Sequence, residues 1–222
     1  MAPVSENLRL IQAGIDAAAR RAGREPSSVT LVAVSKFHSA ERIREAHAAG
    51  LRVFGESREQ EAQTKLPELK DLGDWHFIGR LQTNKAKSVA GLFDAVQSVD
   101  SSRLAEKLSA AAAELKKILC IYAQVNISRE PQKGGFELEG AEEAILALGQ
   151  LPHLKLEGLM GMAAASDNPE TARPSFAALR ALRERLRQRG IDLKLSMGMS
   201  HDYQVAIEEG ADLVRIGTAL FA

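Results

Sequence analysis

VTLVAVSKFH, residues 29–38, is the segment on which the choice of fold turns. Valine, threonine and leucine crowd its first half, a composition suited to a buried strand. The strand runs out into Ser35, Lys36, Phe37 and His38, with no Gly-x-Gly-x-x-Gly turn, so the dinucleotide fingerprint of an open doubly wound sheet is missing. Similar aliphatic segments recur: LRVFGE from Leu51, WHFIG from Trp75, DAVQSV from Asp94, ILCIYAQVN from Ile118, LKLEGLM from Leu154, LKLSMG from Leu193 and ADLVRIG from Ala211. Helical patterns lie between them, with apolar residues about one turn apart at Ile43, Ala46 and Ala49, at Leu104, Leu108 and Leu115, and at Phe176, Leu179, Leu182 and Leu186. Alternating strands and helices imply parallel pairing with right-handed crossovers, and eight such units close into a cylinder. The expectation is one α/β domain over residues 1–222, a single (β/α)8 TIM barrel. An extra N-terminal helix with Leu8, Ile11, Ile15 and Ala18 on one side is expected to close the bottom of the barrel.

Composition narrows the partners. The chain has 222 residues, 29 Lys plus Arg against 29 Asp plus Glu, and so no global field to hold a polyanion; nucleic acid is not an expected partner. Cys120 is the one cysteine, which excludes an internal disulfide and fits a reducing, cytoplasmic address. No apolar run approaches the roughly 20 residues of a membrane span, and MAPVSENLRL lacks a basic region followed by an apolar stretch, so no membrane partner is expected either.

In a parallel barrel, chemistry gathers at the carboxyl ends of the strands. Lys36 ends the first strand on the same face as Val32 and Val34; it is either a surface lysine covering apolar area with its stem or a functional amine. Arg215 lies between branched residues in the last strand, where a guanidinium needs an acceptor: a carboxylate such as Glu157, or a ligand atom. After the seventh strand Ser200 is placed to cap a helix, and Gly217 and Thr218 follow the eighth; these are the loops that bind phosphate in this fold. Closure makes strands seven, eight and one neighbours, so an anion at Ser200, Gly217 and Thr218 lies about two strand spacings, roughly 10 Å, from the Lys36 strand. That separation suits a pyridine ring carrying a phosphate arm and an aldehyde, with the aldehyde meeting Lys36 and Arg215 facing the ring.

Several patterns carry nothing. Ser200, His201 and Asp202 are consecutive and point about 100° apart on a helix, which rules out a relay among them. The histidines show no ligand spacing and no metal is expected. Lys133-Gly134-Gly135 lacks the context of a P-loop, and Arg180, Arg183, Arg185, Arg187 and Arg189 read as the solvated face of a helix end.

LVAVSK around Lys36, FGES at 54–57, WHFIGRLQTNK from Trp75, QVNIS from Gln124, LEGLM from Leu156, SMGMSHD from Ser196 and VRIGTALF from Val214 occur in one order, and together they resemble the pyridoxal phosphate homeostasis proteins, single-domain relatives of the N-terminal barrel of alanine racemase. The resemblance spans nearly the whole chain. It implies the type III fold of pyridoxal phosphate proteins and a Schiff base between the cofactor, pyridoxal 5'-phosphate, and Lys36. It also implies phosphate contacts from Ser200, Gly217 and Thr218, with Arg215 at the pyridine nitrogen and Ser57, His76, Asn126 and Met160 lining the pocket. Ser57 stands where the family commonly has asparagine, and the chain stops at Ala222, short of a tail the family commonly carries. The expected role is a monomeric carrier or buffer of the cofactor, with apo pyridoxal phosphate enzymes as partners. A small amino-acid racemase or lyase is the enzyme alternative, and a sugar-phosphate barrel using Lys36 as an imine former is the third reading.

Overall fold

A computed structural model describes residues 3–222. Eight parallel strands close in sequence order: β1 (Thr30–Val34), β2 (Val53–Glu56), β3 (Asp74–Phe77), β4 (Ala95–Val99), β5 (Leu119–Val125), β6 (Leu154–Gly161), β7 (Lys194–Met199) and β8 (Leu213–Ile216). Helix α1 (Val4–Arg21) precedes them. The remaining helices follow the successive strands: α2 (Ala40–Ala48), α3 (Glu59–Leu69), α4 (Ala86–Leu92), α5 (Ser102–Glu114), α6 (Ala141–Leu148), α7 (Arg173–Gln188), α8 (Tyr203–Glu208) and α9 (Thr218–Phe221). The fold is the expected α/β barrel, and each strand overlaps its aliphatic segment. Closure runs from Thr30 opposite Leu213 to Ala33 opposite Ile216.

Side-chain alternation divides β1 between two cores. Leu31 and Ala33 point outward into the apolar layer shared with the helices, whereas Val32 points inward onto Tyr122, Met160 and Leu213. That inner apolar cluster is small. Beside it the barrel interior is polar, with Gln97, Ser196 and Arg215 all buried. Helix α2 starts at Ser39, whose hydroxyl accepts from the Arg42 N–H, and α5 starts at Ser101, which does the same for Leu104.

Two expectations need correction. Helix α1 does not close the bottom of the barrel: it packs along the outside against α2, α8 and α9, burying Ile11, Ile15 and Ala18. Its Gly14 explains the close approach, because a Cβ there would lie 2.2 Å from the Tyr203 hydroxyl. The amino-terminal mouth is left as an open polar cavity of about 360 Å³. Ser200 is not the residue that precedes α8; Asp202 is, and its carboxylate accepts from the Met199 N–H at 2.6 Å. The physical reason lies in β7, where Ser196 pairs with Leu213 but Met199 with Arg215, a bulge made by Gly198 at φ +91°. The extra residue shifts the chain beyond it, and the Ser200 hydroxyl turns to the last helix to accept from the Ala219 N–H at a long 3.5 Å.

Arg180, Arg183 and Arg185 of α7 form ion pairs with Glu209, Asp212 and Glu142 on neighbouring elements; Arg180 and Arg185 lie on the solvated face expected of them, whereas Arg183 is largely buried. Among the described residues, no helix is long and apolar enough to cross a membrane.

Candidate functional site

Lys36 sits two residues beyond β1, in a turn whose backbone is held from below. Phe37 has φ +67°, a left-handed conformation unfavourable for a bulky side chain. Three side chains sustain it: the Phe37 N–H donates to Glu61 at 2.7 Å, the Arg58 guanidinium lies 4.5 Å from the Phe37 ring centroid, and Lys65 donates to the carbonyls of Ser35 at 3.1 Å and His38 at 3.2 Å. Lys65 in turn pairs with Glu56 at 2.8 Å, a carboxylate with no exposure that also accepts from the Ser35 hydroxyl at 2.7 Å. Burial pushes the Glu56 carboxyl upward against the opposing pull of Lys65 and Ser35. Lys36 itself is exposed, its ammonium 5.9 Å from the Phe37 ring centroid.

The carboxyl ends of the strands enclose a cavity of about 320 Å³ into which Lys36 opens. Ser57, Ser200, Arg215, Gly217 and Thr218 line the same space, so six of the nine residues nominated from the sequence converge on it. Gly217 is what lets β8 finish against β1: a Cβ there would meet the Val34 Cβ and carbonyl oxygen at 3.2 Å. Val34, Ile78, Met162 and Met199 supply the apolar wall, and His201 the remaining imidazole, its Nε2 3.0 Å from the Asp167 carbonyl.

Arg215 is 4% exposed and does not pair with Glu157, which binds Lys155 and Lys194 instead. Its Nη1 donates to the Ser196 hydroxyl at 2.7 Å and its Nη2 to the Gly161 carbonyl at 3.1 Å. Burial lowers its pKa to about 10, still far enough above neutrality to keep the guanidinium charged.

Three nominated residues lie elsewhere. Met160 belongs to the inner apolar cluster; Met162, two residues on and so on the same face one layer higher, is the methionine that reaches the cavity. Asn126 is spent on its own loop, donating to the Glu130 carbonyl at 3.2 Å and accepting from Ser128 at 3.2 Å. His76 faces the opposite mouth beside Asp74, Cys120, Tyr122 and Glu157. Val34, Ile78, Met162, Met199 and His201 are the lining residues not nominated, although each follows or ends a strand and position alone could have found them.

Burial lowers the His76 pKa to about 4 from its ordinary 6.5. Between those values the unfolded chain binds a proton that the folded one refuses, so stability is full above pH 6.5 and falls as the pH drops toward 4. With the ring partly open to the mouth, His76 is expected to account for on the order of 2 kcal/mol of that loss. Urea unfolding at pH 7 and pH 4.5 checks it: the wild type should lose about that much more than His76→Gln, and equal losses refute the assignment.

The profile of the alanine racemase N-terminal domain matches residues 7–222, which sets the class of barrel. Relatives narrow it further. The pyridoxal phosphate homeostasis protein of Pseudomonas aeruginosa is 46% identical over 222 residues, covering 100% of this chain and 96% of its own, and that of Aquifex aeolicus is 44% identical over 219 residues, covering 97% and 96%. The chain belongs to the family of pyridoxal phosphate homeostasis proteins. Among solved structures, PipY of Synechococcus elongatus, with PLP bound, superposes with a TM-score of 0.86 at 38% identity, covering 99% of this chain and 100% of that one.

Proposed function

We propose that this chain holds pyridoxal phosphate in the cavity at the carboxyl ends of the strands, joined to Lys36, and serves as a carrier or buffer of that cofactor. The observation that carries the reading is the convergence of the Lys36 amine, the Arg215 guanidinium and the Ser200–Gly217–Thr218 group on one cavity of about 320 Å³. The space suits a small ligand, since ligand sites run upward from roughly 300 Å³. The lining also suits this one: an amine for the aldehyde, hydroxyls and a glycine backbone for the phosphate, and a cation between them. When bound, pyridoxal phosphate supplies an electrophilic aldehyde on a ring able to delocalise charge.

The residues of the chain divide the remaining work. Lys36 provides the attacking amine from a turn that Lys65 and Glu61 hold in place. Ser57, Ser200 and Thr218 would present hydroxyls to the anion, and Ile78, Met162 and Met199 would exclude water from the cavity. Arg215 would hold the ring with a guanidinium that can donate a hydrogen bond but not accept a proton, and its charge would disfavour protonation of a nearby base, which favours retention over turnover. Tyr122 lies inside the barrel, and Tyr203 lies by α1 with its hydroxyl accepting from Gln204 at 3.3 Å; neither lines the cavity. The same reading takes the working unit as a monomer and places it in the cytoplasm, handing cofactor to apo-enzymes.

The test is direct. Purified protein mixed with pyridoxal phosphate is expected to gain a visible absorption band, lose it on borohydride, and yield a pyridoxyl-modified peptide containing Lys36. Absence of both band and label overturns the reading.

A further inference from the structure

The polar interior of the barrel contains a continuous run of hydrogen bonds that the binding of a cofactor does not by itself require. We propose that Ser196 and Gln97 are positioning residues for Arg215, links in a one-way hydrogen-bond chain that crosses the barrel from the cavity to His76 at the opposite mouth. The proposal rests on the cofactor-holding role of the cavity for its purpose, though not for its geometry.

The direction of the chain is set by what each group can do. A guanidinium has only donors, so the 2.7 Å contact from Arg215 Nη1 makes the Ser196 oxygen an acceptor. Ser196 then spends its own proton on the Gln97 Oε1, 2.6 Å away. That fixes which way the amide points: its Nε2, again only a donor, faces His76 Nδ1 at 2.7 Å. His76 Nδ1 must therefore carry a lone pair, and the proton of the neutral ring sits on Nε2, toward the amino-terminal mouth. One fixed cation at the cavity thus sets the tautomer of an imidazole on the other side of the barrel interior. Four elements supply the links, β8, β7, β4 and β3, and Gln97 and Ser196 have no exposure at all.

An apolar filling of the same interior would cost less, because a buried cation is desolvated and each link must be satisfied. What the chain provides is a fixed place for the guanidinium. The Gly161 carbonyl at 3.1 Å holds one nitrogen and Ser196 the other; with Ser196 itself held by Gln97, the fork cannot rotate without breaking bonds in sequence. The charged groups around the His76 ring at the mouth are Asp74 on β3, Asp94 before β4, Glu157 on β6 and Lys194 on β7, with the titratable Cys120 and Tyr122 on β5 beside them. None of them reaches Nδ1, which Gln97 occupies.

Two variants and two readouts test the proposal. Histidine-labelled protein without cofactor, examined by long-range nitrogen–proton NMR, is expected to show His76 with its proton on Nε2. Gln97→Glu keeps the size of the link but offers an acceptor where the amide donated, so His76 should move its proton to Nδ1 or become doubly protonated. Ser196→Ala, the milder change, frees the amide to turn and should give a mixture of tautomers. In both variants the bound cofactor's visible maximum should shift, and its retention weaken by about tenfold, the usual worth of a hydrogen bond to a charged group. Wild-type His76 protonated on Nδ1, or variants with unchanged tautomer and spectrum, overturns the proposal. Should the wild type take up no pyridoxal phosphate, the functional reading fails while the tautomer measurement still decides this one.

Discussion

Lys36→Ala protein treated with pyridoxal phosphate and borohydride is expected to carry no pyridoxyl label, a loss of more than about a hundredfold against wild type, with its thermal midpoint unmoved. The second half of that expectation gives the first its meaning. Lys36 is exposed and its backbone turn is held by other residues, so truncating it belongs with surface substitutions, whose effect on stability stays within about 0.5 kcal/mol. Ser200, Gly217 and Thr218 remain, and the variant should still take up the cofactor reversibly, seen as a free-aldehyde spectrum that gel filtration removes. A label of wild-type intensity on some other lysine sinks the assignment, since the amine would then not be the one the cavity presents.

Replacing Lys65 with methionine is expected to have the opposite signature: a large loss of stability with the chemistry of the site formally intact. Lys65 is the partner of Glu56, which has no exposure and keeps only the Ser35 hydroxyl once the ammonium is gone. Removing one member of a buried pair costs about 3 kcal/mol or more, because the other charge is stranded. For a chain of this size, that corresponds to a fall in the thermal midpoint of roughly 6–12 °C. The same ammonium holds the Ser35 and His38 carbonyls across the turn in which Phe37 is left-handed, so labelling of Lys36 should also slow. Adding Glu56→Gln should recover part of the stability, because the stranded charge is removed, without restoring the labelling rate. A Lys65→Met protein within about 1 kcal/mol of wild type in urea would falsify this account of the turn.

The barrel was readable because strand composition and helix periodicity are local properties and eight repeats of both leave few ways to close. Lys36, Ser200, Arg215, Gly217 and Thr218 were readable for the same reason, as each stands at or just past the end of a strand. Depth along the barrel axis was the quantity left unread. Alternation tells which residues point inward but not how far up; Met160 and Met162 share a face, and only the upper one meets the cavity. His76 belongs to a strand whose inward position lies near the other mouth, and the packing of α1 depended on a surface of α8 and α9 that no local pattern describes. The bulge at Gly198 was equally hidden, since glycine in SMGMS is compatible with a plain turn, and it is what redirects Ser200.

Closure of β8 onto β1 has a temporal consequence. Lys36 emerges from the ribosome early and Thr218 last among the groups around the cavity, separated at ordinary elongation speeds of about 5–20 residues per second by roughly ten to forty seconds. Until then the nascent polypeptide carries the amine but not the complete lining of the cavity. On the proposed function, capture of the cofactor therefore belongs to the closed barrel, and a chain stopped before β8 lacks Arg215, Gly217 and Thr218 from the cavity wall.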